Sequence, residues 1–139
     1  MLKGLWTIGV KVPDLEKELE FQRAMGNEIV LDEKLPLGDE SYRIPLVKMG
    51  DKYLHIGEKM VYETVLGESL PYGPVHLVYA TDDFDAAVRT CLAAGATQFH
   101  EPVEVSAGFG DRKVGFFRSP SGWIFEIIQI HHNAVPEVV

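Results

Sequence analysis

Cysteine is almost absent from this chain of 139 residues: Cys91 stands alone, so no internal disulfide can form, which agrees with a reducing compartment. Basic residues are scarce as well, with 13 Lys and Arg against 21 Asp and Glu, a formal net charge of −8 and a sequence pI near 5.0. A general nucleic-acid binder needs basic surface to neutralise phosphates, so that class is excluded. No apolar run approaches the roughly 20 residues of a membrane span, and the N-terminal MLKGLWTIGVKV runs into a strand pattern without a signal-peptide layout. No low-complexity linker divides the chain. The expectation is a cytoplasmic protein of one domain, acting on a small molecule, with no nucleic-acid or membrane partner.

What the chain does contain is one pattern written twice. WTIGVKVPDLEKELEFQRAMGNE begins at Trp6 and VHLVYATDDFDAAVRTCLAAGAT at Val75. At one constant offset Thr7 meets His76, Asp14 meets Asp83, Leu15 meets Phe84 and Gly26 meets Gly95. Each copy reads as strand, turn, helix and glycine stop. In the first, a strand over 5–12 leads to Asp14 as helix N-cap, a stripe of Leu15, Leu19, Gln22 and Met25, and strands near 28–35, 42–49 and 53–58. In the second, a strand over 76–81 leads to a cap at Asp82 or Asp83, a stripe of Phe84, Ala87, Val88, Cys91 and Leu92, and strands near 97–101, 113–118 and 123–130. The fold class expected is α+β: two tandem βαβββ modules, about 4–60 and 74–130, joined by a connector over 61–73 and followed by a loose tail over 131–139. A mixed, curved sheet would surround a cup, with the helices on its outer face.

Strand alternation then selects residues. Leu54 and Ile56 flank His55, Phe125 and Ile127 flank Glu126, and Val75 and Leu77 flank His76. If the apolar neighbours face the helices, these polar side chains face the cup. Thr7 stands at the copy-one position that matches His76. Glu126, inside the apolar strand WIFEIIQI, needs a partner or a metal, because a bare buried carboxylate costs several kcal/mol, on the order of a full desolvation penalty. A structural salt bridge to Arg112 or Arg118, or an exposed face, is one possibility. A metal ligand is the other: two imidazoles and a carboxylate (His55, His76 and Glu126) suit Fe, Mn, Zn or Ni, and with open positions they form the set used by non-haem iron oxygenases. Thr7 is a poor ligand and would leave room for substrate. Tyr53 shares the face of His55 and is a candidate proton donor or pocket wall.

At these residues the chain resembles the vicinal oxygen chelate superfamily, which includes glyoxalase I, extradiol dioxygenases, and bleomycin- and fosfomycin-resistance proteins. TIGVKVPDLEKELEF resembles its opening strand and helix. VHLVYATDDFDAAVRTCLAAGA resembles its second-module opening, whose first histidine is commonly a ligand and falls on His76. FFRSPSGWIFEIIQ resembles its closing phrase before a ligand glutamate, which falls on Glu126. The resemblance covers about 5–130. It implies a divalent metal that binds vicinal substrate oxygens, dioxygenase-like or lyase-like chemistry with Glu126 as ligand or base, and a homodimer. It also likens the glycine-rich VSAGFGDRKVG to a loop closing over substrate, with Arg112 holding an anionic group. Two positions depart from the pattern: Thr7 replaces the first-module histidine, and His55 stands where glyoxalase-type members often have glutamate. The rival expectation is a metal-free protein that binds or sequesters a small ligand, as resistance proteins do.

Overall fold

The computed structural model describes residues 2–138. In chain order the elements are β1 (Leu2–Lys11), α1 (Leu15–Ala24), β2 (Glu28–Leu31), β3 (Lys34–Leu37), β4 (Glu40–Arg43), β5 (Leu46–Met49), β6 (Lys52–Gly57), α2 (Glu63–Leu66), β7 (Gly73–Thr81), α3 (Phe84–Ala93), β8 (Thr97–Ala107), β9 (Gly110–Arg118) and β10 (Ile124–Asn133). They fall into two compact units. One comprises residues 7–75, and the other comprises 76–137 with the first residues of β1. The α+β class and the mixed strand directions are those expected from the repeat.

In the first unit the strands run in the order β2-β5-β6-β1. β1 is parallel to β6, while β5 is antiparallel to both β6 and β2. Asp14 caps α1 by accepting from the Lys17 amide at 3.1 Å. Leu15 and Leu19 then pack with Val12, Val47, Leu54 and Ile56, with Ile8, Val10 and Ile29 at the margin. Leu54 and Ile56 therefore lie on the helix side of β6, and alternation turns Tyr53 and His55 to the other side.

In the second unit the order is β7-β10-β9-β8, with β10 parallel to β7 and antiparallel to β9. Asp83 caps α3 by accepting from the Ala86 amide at 3.0 Å. Phe84 and Ala87 pack with Phe117, Phe125 and Ile127, with Tyr79, Val88 and Cys91 beside them. Both helices end before a glycine at positive φ, Gly26 at 89° and Gly95 at 105°.

Each unit has, within itself, a helix-start contact that the sequence reading missed. Glu58, three residues after His55, accepts from the Leu15 amide at 3.0 Å; Gln129, three residues after Glu126, accepts from the Phe84 amide at 2.9 Å. In each unit a residue on the strand that carries the candidate residue, or just past its end, thus also satisfies an otherwise orphaned amide at the start of its helix.

Several expected boundaries need correction. The strand expected over 28–35 is two strands, and so is the one over 42–49, where Pro45 falls in the gap and has no N–H to give a ladder. The resulting β3 and β4 pair only with each other, as a separate two-stranded sheet. The connector holds a short helix, α2, whose Glu63 accepts from Lys11 Nζ at 3.0 Å. Both groups are buried, and Lys11 also donates to Ser69 Oγ and the Leu70 carbonyl, each at 3.1 Å. The glycine-rich loop expected over 105–115 is instead part of a long hairpin, β8 to β9, with register shifts near His100 that absorb Pro102. The tail expected to be loose from 131 is strand to Asn133, and Val135 beyond it is buried; the last residue, at 139, lies outside the described residues. Among the described residues no helix is long and apolar enough to cross a membrane.

Candidate functional site

The parallel pairing of β7 with β10 sets the centre of the site. His76 lies opposite Ile124, and Val78 lies opposite Glu126. Residues directly opposed across a ladder share a face, and so do residues two apart along a strand. His76 and Glu126 therefore stand on one side of the sheet, while Phe125 and Ile127 stand on the other beneath α3. The geometry bears this out: His76 Nε2 lies 3.8 Å from Glu126 Oε2. Both residues are buried, at 8% and 9% exposure.

Burial dominates the electrostatics of the pair. Removal of Glu126 from water disfavours its ionised form, and the carboxyl pKa is pushed up from 4.5 to about 8. Phe116, opposite Glu126 on β9 and 2% exposed, makes part of the apolar surroundings. Near neutral pH the metal-free carboxyl therefore carries its proton, unless a cation supplies the opposite charge. The salt bridge to Arg112 or Arg118 considered from the sequence is not the arrangement here; the group next to the carboxylate is an imidazole.

The remaining candidates divide by their surroundings. Thr7 and Tyr53 are opposed in the β1–β6 ladder, both are fully buried, and Thr7 Oγ1 donates to the Tyr53 carbonyl at 2.7 Å. That bond holds the threonine hydroxyl in the sheet. His55 lies opposite Gly9 and Leu46 and is half-buried. Among the described residues, no group of three or more His, Cys, Asp or Glu side chains is gathered closely enough to hold a metal ion. Two donors, His76 and Glu126, are brought together.

Arg112 needs the plainest correction. It belongs to strand β9 and is 1% exposed. Its terminal nitrogens donate to the His132 carbonyl at 2.6 Å, the Phe109 carbonyl at 2.7 Å and Asn133 Oδ1 at 2.9 Å. The guanidinium also lies over the rings of Trp6 and Phe109, at 5.4 and 5.1 Å from their centroids. It ties the end of β10 to the β8–β9 turn and presents no fork to a ligand.

Known structures share this architecture. Methylmalonyl-CoA epimerase of Streptomyces coelicolor, in complex with 2-nitronate-propionyl-CoA, matches with a TM-score of 0.75 at 21% identity, over 95% of this chain and 100% of that one. The Mycobacterium tuberculosis methylmalonyl-CoA epimerase matches with a TM-score of 0.69 at 20% identity, over 94% of this chain and 90% of that one. These neighbours belong to the vicinal oxygen chelate superfamily. The chain has the vicinal oxygen chelate fold. A 4-hydroxymandelate synthase of Streptomyces coelicolor extends the match within that fold, with a TM-score of 0.64 at 16% identity, over 98% of this chain and 50% of that one. No protein-family model matches the sequence, and no curated protein matches it. Within the vicinal oxygen chelate fold, the pair His76 and Glu126 occupies strand positions that the sequence repeat had singled out.

Proposed function

We propose that this protein is a metal-dependent enzyme acting on a small substrate with two neighbouring oxygens, with lyase-, isomerase- or dioxygenase-like chemistry. The observation that carries the reading is the buried His76–Glu126 pair, an imidazole nitrogen and a carboxylate oxygen 3.8 Å apart on the sheet face away from α3. Bonds of about 2.0–2.2 Å from each donor would let one divalent ion take both. Such an ion supplies Lewis acidity toward paired substrate oxygens and stabilises the negative charge that develops on them. The protein's own contribution is to hold the two donors on adjacent strands and to keep water from the carboxylate with Phe116 and Ile124. His55 is retained as a candidate ligand and Tyr53 as a candidate proton donor. The neighbours named for epimerase and synthase activity support enzyme function of this general kind.

A second reading, a metal-free protein that binds a small ligand, draws support from the pair being only two donors. Elemental analysis of purified protein equilibrated with Mn(II), Zn(II), Fe(II) or Ni(II) separates the two. The enzyme reading expects about one ion per chain, lost in His76→Ala and weakened in Glu126→Gln and His55→Ala. Absence of stoichiometric metal, or equal binding by His76→Ala, overturns it in favour of the binder.

A further inference from the structure

We propose that the first unit carries a second ligand site, which stands apart from the His76–Glu126 reading. It is a cleft between the start of α1 and the β3–β4 ribbon, and it takes the zwitterion of an α-amino acid with an apolar side chain. The cleft measures about 310 Å³, at the lower end of the roughly 300–1,000 Å³ of small-molecule sites. Leu15 and Tyr42, both buried, supply its apolar lining. Most of the charges around it are committed to one another. Arg43 donates through Nε and Nη2 to the Asp32 carboxylate, at 2.9 and 2.8 Å, and through Nη1 to Glu16. Glu40 accepts from the Tyr42 hydroxyl at 2.6 Å and from Lys59 at 2.9 Å, which together hold its carboxyl down at about 2. These bonds fasten the ribbon, whose strands pair only with each other, to α1 and to the segment after β6. The walls of the cleft are therefore held in place before any ligand arrives.

Three lining groups are left over, and they define the ligand. Among the described residues the Lys34 ammonium and the Ser41 hydroxyl have no hydrogen bond or ion pair, and Glu58 has no cation beside it. Glu58 Oε2 accepts from the Leu15 amide at 3.0 Å, which leaves Oε1 open. Lys34 lies directly opposite Arg43 in the ribbon, next to a like charge whose carboxylates are already engaged, so an incoming anion relieves it. Glu58 gains in the same way from a cation. The two opposite charges line one cleft without pairing with each other. A ligand that carries an ammonium and a carboxylate on one carbon bridges them: its carboxylate meets Lys34 and Ser41, its ammonium meets Glu58, and its side chain covers Leu15 and Tyr42. A plain carboxylate brings a negative charge beside Glu58, and a plain amine brings a positive charge beside Lys34. In a chain with net charge −8, a zwitterion also escapes the overall repulsion of anions. Lys34 and Glu58 are exposed, so each pair contributes modestly and the affinity is millimolar in order.

The test is an amide NMR titration of the isotope-labelled full chain, with chelator present so that no metal takes part. The probes are L-leucine, isocaproate (leucine without its ammonium) and isoamylamine (leucine without its carboxylate). Leucine should shift the amides of Glu16, Ser41 and Lys59, and should bind about fivefold more tightly than either analogue, the gain from one exposed charge pair. Glycine, which cannot cover Leu15 and Tyr42, should bind more weakly than leucine. Glu58→Gln keeps an oxygen for the Leu15 amide; it should erase the advantage over isocaproate and retain the advantage over isoamylamine. Lys34→Gln should do the reverse. Three results overturn the proposal: no shift of these amides near the solubility limit of leucine, an analogue or glycine that binds as well as leucine, or an advantage that survives its matching variant. Metal binding at His76 and Glu126 is measured separately, so failure of that reading leaves this result unchanged.

Discussion

The buried carboxyl of Glu126 makes a quantitative prediction about metal-free protein. Its pKa is raised from 4.5 to about 8 by desolvation, so the folded state holds a proton that the unfolded chain has already released across that interval. Stability must therefore fall as pH rises from about 4.5 to about 8 and then level off, since the native state binds the extra proton. Each tenfold change in proton affinity is worth about 1.4 kcal/mol, so the full loss is roughly 5 kcal/mol, and about 3 kcal/mol of it is already lost at pH 7. Against a usual domain stability of about 5–15 kcal/mol, this is a large penalty. Glu126→Gln keeps the shape and removes the titration. Urea denaturation of both proteins with chelator present, at pH 4.5, 7 and 8.5, should show the variant gaining roughly 5 kcal/mol over the wild type across that range. The titrating groups away from Glu126 are common to both proteins and largely cancel. Saturating Mn(II) or Zn(II) should flatten the wild-type curve, because the ion supplies the charge that the folded state lacks. Stability curves that stay parallel within about 1 kcal/mol would refute the reasoning, since they would show that Glu126 ionises as readily folded as unfolded.

Other expectations follow from single contacts. Lys11→Met leaves Glu63 buried without its ammonium and should cost about 3–5 kcal/mol, most of it recovered in Lys11→Met with Glu63→Leu, as urea midpoints would show. Asp14→Ala and Asp83→Ala each remove a helix cap and should lower stability by about 1 kcal/mol each, additively in the double variant. Gly110 has φ 111°, and a Cβ there would stand 2.0 Å from the His132 carbonyl oxygen; Gly110→Ala should cost about 3 kcal/mol or more in thermal or chemical unfolding. Cys91 donates to the Val88 carbonyl at 3.3 Å, and burial raises its thiol pKa, so alkylation by iodoacetamide at neutral pH should be much slower in the folded protein than in urea.

Much of the fold was legible because the sequence states it twice. Asp14 and Asp83 announce the helix starts, and Gly26 and Gly95 the ends. The apolar neighbours of His55 and Glu126 assign the two faces of β6 and β10, as the core clusters confirm. The hairpin boundaries were less legible. Pro45 interrupts a run that otherwise reads as one strand, and the glycines of VSAGFGDRKVG look like a loop until the β8–β9 pairing is seen. Lys11 and Glu63 find each other across a connector of unremarkable composition, and no local pattern signals such a pair.

The same contrast explains why Arg112 was misread. From sequence, an arginine after a glycine-rich stretch suggests an exposed anion hook. In the fold it is an interior brace that donates to the carbonyls at 109 and 132, at the open end of the β8–β9 and β9–β10 ladders. Arg118 was weighed only as a salt-bridge partner for Glu126; the ladder places it one row from that residue, opposite Ile124. Cross-strand register decides between these roles, and register depends on the bulges near His100 and Ile130, which no single-strand pattern encodes. A shift of one residue in β9 would turn Arg118 to the α3 side and Phe117 toward Glu126. The burial of Phe117 against Phe84 and Phe125 is what forbids it. The aromatic core beneath α3 thus fixes the face of the sheet on which Arg118 and Glu126 both stand.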